Sequence, residues 1–169
     1  MQPTACHPAR PAARDARSRP GGAAVPSLPG TVVNVTVTDM GDGMMGAGPM
    51  TGNRTASMMR VHAGRQSVAA GVVSLRVANT GGLTHELIVL PLPAGQHVGQ
   101  RSVGADGRID ETGAVGEASR TCGEGEGEGI DAGSVGWTTL QLAPGDYELV
   151  CNLPGHYAAG MYTKLHVHA

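Results

Sequence analysis

The segment Cys151-Asn-Leu-Pro-Gly-His156-Tyr-Ala-Ala-Gly-Met161 constrains this chain more than any other. It spaces a thiol, an imidazole and a thioether evenly, as Cys-x4-His-x4-Met. Tyr147 to Cys151 before it and Met161 to Val167 after it read as strands, the second with Met161, Thr163, Leu165 and Val167 alternating. Pro154 and Gly155 cannot continue a strand, so the chain must turn between the two. The turn returns His156 towards the strand ends that carry Cys151 and Met161. Upstream, His85 heads the apolar run Leu87-Ile-Val-Leu90.

Composition favours an all-β chain. With 27 Gly, 11 Pro, no Phe and 15% charged residues, the sequence suits short strands joined by many turns. Its length suits one well-cored domain. Val, Leu, Ile, Met and Ala must fill the core, with Trp137 and three Tyr the only aromatics. A formal net charge of −2 argues against nucleic-acid binding, and no stretch has the length of a membrane-spanning helix. Residues 1–30 hold Arg10, Arg14, Arg17 and Arg19 among Pro, Ala and Gly, without the apolar stretch of a secretory signal. They read as a disordered basic leader, and residues 31–169 as the folded domain. Cys6 and Cys122 both lie outside strand-like sequence, which disfavours a bridge between them.

Along the domain, Thr31 to Thr38 reads as a strand, Ala56 to Val61 as a short one and Ser67 to Asn79 as a long one. Leu83 to Leu90 is expected to be a strand ended by Pro91 and Pro93. Thr112 to Arg120 has the pattern of one or two helical turns, weakened by its glycines. Cys122-Gly-Glu-Gly-Glu-Gly-Glu-Gly129 reads as a solvated acidic loop. Ser134 to Leu142 alternates as a strand, and Ala143-Pro-Gly-Asp146 is a turn. About eight strands spaced by such turns predict a β-sandwich or barrel.

The donor types point to a metal. Thiolate favours soft or borderline ions, and imidazole suits copper and zinc. Thioether is a poor zinc ligand, and structural zinc takes four Cys or His donors. Two His, one Cys and a weak Met are the donors of a blue-copper electron-transfer site. The second imidazole is the open choice: His85 competes with His62, His97, His166 and His168, and His62 is its main rival. His85-Glu86 superficially matches a zinc-protease motif, but that motif needs His four residues on, where Val89 stands. A catalytic copper enzyme would need further His-rich centres, and the sequence offers one His-x-His pair.

Tyr147-Glu-Leu-Val-Cys151 through Met161 resembles the ligand loop of the cupredoxins, with the equal spacing of the azurin, rusticyanin, auracyanin and sulfocyanin type. Leu83-Thr-His-Glu-Leu-Ile-Val-Leu90 resembles the first-ligand strand of sulfocyanin-like cupredoxins. Val35-Thr-Val-Thr-Asp39 and Ala143-Pro-Gly-Asp-Tyr147 resemble further pieces. The resemblance implies a Greek-key β-sandwich with one type 1 copper ion at one end. His85, Cys151 and His156 would be equatorial ligands and Met161 the long axial one. It further implies a non-enzymatic, extracytoplasmic, monomeric shuttle of single electrons between protein redox partners such as a cytochrome or terminal oxidase. Membrane association would need a further N-terminal segment. Leu153, Pro154, Tyr157 and Ala158 would form the apolar patch around His156. Many cupredoxins place Asn or Ser after the first His; here it is Glu86, and Asn152 is the candidate to share its work. Met40, Met44, Met45, Met50, Met58 and Met59 suggest an alternative, a Cu(I) carrier or buffer, against adaptable filler.

Overall fold

The computed structural model describes residues 25–39 and 59–169. Nine strands form among them: β1 (Thr31–Thr38), β2 (Arg60–Ala63), β3 (Ser67–Ala69), β4 (Gly71–Asn79), β5 (Leu87–Leu92), β6 (Gly116–Ala118), β7 (Val135–Leu142), β8 (Gly145–Val150) and β9 (Tyr162–His168). They make two sheets, β2-β1-β4-β7 and β3-β9-β8-β5-β6. The β1–β4 and β3–β9 pairs are parallel and the rest antiparallel. The all-β expectation holds, with one strand more than the eight anticipated.

The extra strand comes from the stretch expected to run unbroken from Ser67 to Asn79. It breaks at Ala70. Gly71 has φ +129°, a conformation that side-chain-bearing residues rarely adopt. The chain leaves β9 of one sheet there and joins β1 and β7 of the other.

The core follows strand alternation. Val33, Val35 and Val37 of β1, and Val73, Leu75 and Val77 of β4, meet Tyr147 and Leu149 of β8, and Leu165 and Val167 of β9. The run Leu87 to Leu90 does not alternate, because β5 is covered on both faces. Leu87 and Val89 enter the main core. Ile88 and Leu90 pack with Ile109, Val150 and Tyr157 on the other side. The segment 96–115, weakly patterned in sequence, lies over the second sheet as an irregular excursion. Within it, Arg101 Nε donates to the fully buried Glu148 carboxylate at 2.6 Å. Gly99 N–H and Tyr157 O–H donate to the same carboxylate at 2.6 and 2.9 Å.

Three local expectations are corrected. β5 begins at Leu87, since residues 80–84 turn, and it runs through Pro91 to Leu92. Beyond Val89 it has no β6 neighbour, and such an edge tolerates proline. The helical turns expected within 112–120 are a tight turn, closed by Ala114 N–H to Glu111 C=O, followed by β6. The acidic loop exposes Glu124, Glu126 and Glu128 as expected, yet its backbone is knitted to β7: Gly125 N–H bonds Trp137 C=O, and Trp137 N–H bonds Gly123 C=O. This loop protects an edge that would otherwise present unpaired backbone groups. The strand expected at Ala56 to Val61 appears as β2, with residues 56–58 outside the described residues. Most of the leader, Cys6, and Met40, Met44, Met45, Met50 and Met58 also lie outside them. Cys122, expected to stand unbridged, is disulfide-bonded.

The alternation gives a direct test of the core. Leu75→Ala removes a fully buried side chain and should lower unfolding stability by about 2–5 kcal/mol. Val72→Ala, on the exposed face of the same strand, should change it by less than ~0.5 kcal/mol. Urea denaturation of both variants measures the contrast.

Candidate metal centre

The β8–β9 ladder ends at Val150↔Tyr162. One further bond, Cys151 N–H to Met161 C=O at 3.0 Å, closes the loop between them. Inside it the chain winds through consecutive turns: His156 N–H bonds Leu153 C=O, and Met161 N–H returns to His156 C=O at 3.1 Å. Gly160, at φ +98°, makes that return possible. Gly155 N–H is held by Gly107 C=O at 2.9 Å.

His85 arrives from the other side. It precedes β5 and forms an isolated bridge with Ile130, through bonds of 3.1 and 2.6 Å. Asn79, at the end of β4, shapes the turn before it. Its amide donates to Leu83 C=O at 2.7 Å and Ile130 C=O at 2.8 Å, while its Oδ1 accepts from Gly81 N–H.

These elements bring three donors together. His85 Nδ1 lies 3.2 Å from His156 Nδ1. Cys151 Sγ lies 3.3 Å from His156 Nδ1 and 3.9 Å from His85 Nδ1. A point in the plane of that triangle lies about 2.0 Å from all three atoms, close to the ~2.0–2.3 Å of metal–imidazole and metal–thiolate bonds. His85 and Cys151 are fully buried and His156 is partly exposed. Met161, also fully buried, packs in the same apolar cluster as Cys151.

Burial holds the donor groups towards their neutral forms. Burial pushes the Cys151 thiol up to about 12, against the opposing bond from Glu86 N–H at 3.4 Å. Burial lowers both imidazoles, His156 further through the nearby His85 and His85 against the pull of Asp39. Neutral imidazoles are ready ligands. A thiolate isolated in this apolar setting is unstable, and a metal ion can take the place of its proton.

Around the donors stands a layer that sequence reasoning largely missed. His85 Nε2 donates to Asp39 Oδ1 at 3.3 Å, which leaves Nδ1 as the lone-pair nitrogen facing Cys151. Burial raises the Asp39 carboxyl, but bonds from Leu83 N–H, Gly82 N–H and His85 outweigh it and hold the group below its usual range. Asp39 follows β1, whose Val37 pairs with Asn79. That parallel pairing places the carboxylate beside the 80–84 turn, and nothing in the local sequence announces it. Glu86 links the two donor-bearing segments twice: its N–H donates to Cys151 Sγ, and its Oε1 accepts from Asn152 N–H at 3.1 Å. Burial, then the charge of Glu117, raises its carboxyl to about 7. The Asn152 side chain instead clamps Ile109, accepting at 2.7 Å and donating at 3.0 Å, and donates to Glu111 at 2.6 Å.

The rival histidines are elsewhere. His62 is exposed on β2 between the inward-facing Val61 and Ala63. His97, His166 and His168 are exposed as well. One surface expectation fails: Tyr157 is only 2% exposed and turns inward to Glu148, so it contributes nothing to an apolar rim. Leu153 and Ala159 are partly exposed, Pro154 and Ala158 are open, and Leu83, two residues before His85, is 47% exposed.

A two-sheet β-sandwich with a largely buried His-Cys-His group at one end, built on this ligand loop, is a cupredoxin. The chain belongs to the sulfocyanin family, whose domain model, "Sulfocyanin (SoxE) domain", matches residues 55–169. Among solved structures the chain is similar to auracyanin B, at 23% identity over 86% of this chain and 94% of that one, with a TM-score of 0.49. It is also similar to reduced auracyanin from Roseiflexus castenholzii, at 16% identity over 85% and 100%, TM-score 0.48. Rusticyanin from Thiobacillus ferrooxidans matches at 21% identity over 82% and 79%, TM-score 0.46. No curated protein matches the chain.

The Asp39–His85 bond generates a prediction. Asp39→Ala should leave the far-UV circular dichroism unchanged. It should weaken copper binding about 10–100-fold, measured by competition with a chelator, because the His85 ring loses the group that orients it.

Proposed function

We propose that this protein is a mononuclear blue-copper electron carrier, in which His85, Cys151 and His156 would hold the ion strongly and Met161 would add a weak thioether. The observation that carries the proposal is the Nδ1–Nδ1–Sγ triangle with sides of 3.2, 3.3 and 3.9 Å. Met161 is supported by its place at the closure of the loop, where its backbone bonds both Cys151 and His156. Copper, when bound, supplies a one-electron Cu(II)/Cu(I) couple. The donor set of two imidazoles, one thiolate and one thioether matches that ion and fits zinc poorly.

The residues divide the work. Glu86 N–H donates to the sulfur, a bond that tunes the potential of a copper–thiolate centre. Asp39 fixes the His85 ring. The partly exposed His156, set among Leu153, Pro154, Ala158 and Ala159, offers the path for the electron between the buried sulfur and a partner's surface. The chain turns over no substrate, and its partners are redox proteins that dock at that end. Among the described residues no helix is long and apolar enough to cross a membrane. The thiolate–copper chemistry and the family support a location outside the cytoplasm.

A visible and EPR spectrum of the copper-loaded protein tests this reading. The expected protein is intensely coloured and bleaches on reduction. Cys151→Ser should abolish the colour while the fold persists, because the sulfur supplies the charge-transfer band. Met161→Leu should keep the colour and raise the reduction potential, since the electron-poor cupric state loses a donor. His62→Ala should change neither colour nor potential. A colourless wild-type protein that saturates with zinc and refuses copper would refute the proposal.

A further inference from the structure

The His-x-His pair at the end of β9 is not used by the buried centre. His166 and His168 lie on the outer face of β9, one strand period apart, and both are exposed. Their rings are stacked, with centroids 6.5 Å apart and planes 27° apart. Each ring has its Nδ1 engaged. His166 Nδ1 lies 2.7 Å from Asp146 Oδ1, and His168 Nδ1 lies 3.1 Å from the main-chain O of Ala169. Both of these oxygens only accept, so both Nδ1 atoms must be the donors. Neutral imidazoles so bonded carry their lone pairs on Nε2. A carboxylate behind the His166 ring is the arrangement that orients histidine towards metals.

The backbone beneath the pair is fixed on both sides. Asp146 of β8 stands directly opposite His166. On the other flank His166 N–H bonds Gln66 C=O at 2.8 Å, and Ala70 N–H bonds His168 C=O at 2.7 Å. The residues of β3 beside the pair are Ser67 and Ala69, too small to cover the rings. Lys164 is bonded to the other oxygen of Asp146 at 2.7 Å, which draws its ammonium towards the carboxylate.

We infer that His166 and His168, supported by Asp146, form a second, surface metal site for a divalent cation that imidazole favours, cupric ion above all. Imidazole alone does not select Cu(I), so the site takes the oxidised ion, and the Irving–Williams order places Cu(II) above Ni(II) and Zn(II) there. Met161 and His168 bracket β9, which separates this site from the buried one by about 20 Å along the strand. The two sites share no donor. The chain therefore holds more than one metal equivalent under oxidising conditions.

Isothermal titration of Ni(II) into the full chain carrying one copper equivalent tests the site, with Ni(II) as a colourless-site probe. One Ni(II) per chain is expected. His166→Ala and His168→Ala should each weaken binding at least about tenfold, and Asp146→Asn about tenfold. His62→Ala should not alter it. Repeating the series in the Cys151→Ser background, with and without the His166→Ala/His168→Ala pair, separates this site from the buried one. Heat that disappears with the pair supports the surface site whether or not the wild-type protein is blue. No Ni(II) binding to the wild-type chain, or binding unchanged by the double substitution, overturns the inference.

Discussion

The bond from Cys151 N–H to Met161 C=O is the constraint on which the metal-binding end depends. It extends the β8–β9 ladder one step past its last strand pair, so the ends of a loop are held at the spacing of two paired strands. Everything between them must then coil into turns, and His156 is carried back over Cys151. The bond also fixes Met161 by its backbone at the mouth of the loop. A loop anchored this way costs little further entropy to order, because its closure is part of sheet formation. Its geometry belongs to the sandwich and not to the metal.

Burial dominates the electrostatics of the centre so formed. Burial drives the Cys151 thiol towards about 12 and keeps both imidazoles neutral. Every one of these effects disfavours charge on the protein's own groups, and the neutral imidazoles keep lone pairs with which to ligate. Glu86 N–H works in the opposite sense, since it stabilises negative charge on the sulfur. The site combines an apolar enclosure with two specific polar contacts, Glu86 N–H at the sulfur and Asp39 at the His85 ring. Enclosure excludes water, and the Asp39 contact decides which nitrogen of the His85 ring faces inward.

Much of this was legible in the sequence because the site is local. Cys151, His156 and Met161 sit within one turn between two alternating strands, and strand period and Pro-Gly punctuation suffice to bring them together. His85 was one of several candidate histidines, set apart by the resemblance of its segment to a first-ligand strand. What stayed hidden depends on long-range pairing. Asp39 reaches His85 only because β1 runs parallel to β4, a register that no local pattern encodes. Tyr157 looked like a surface aromatic in a turn, but the buried Glu148 carboxylate turns it inward. The break at Ala70 was hidden for a similar reason: β-branched residues on both sides suggest continuity, and only the demand of two sheets for the same chain divides them. Glu148 itself alternates as an outward-facing residue should. It is buried because the 96–115 excursion, unpatterned in sequence, lies across it.

That excursion explains how one end of a small sandwich can be held still. Glu148 lies on the strand that ends at Cys151, and its carboxylate accepts from Gly99, Arg101 and Tyr157. Arg101 also donates to Pro91 C=O of β5, and Arg101 N–H bonds the Tyr157 oxygen at 3.1 Å. Tyr157 directly follows His156. A buried carboxylate with one partner would be a liability, because an incompletely satisfied charge costs several kcal/mol, roughly, in such surroundings. With three donors it becomes a tie among β8, β5, the excursion and the loop. The Asn152 amide adds a second tie to the same excursion at Ile109. The segment bearing Cys151 and His156 is thus fastened from both ends of the turn, from the sheet beneath and the roof above. The donor atoms stand close enough to receive one ion because the polar contacts that hold them are made within the protein and do not wait for that ion.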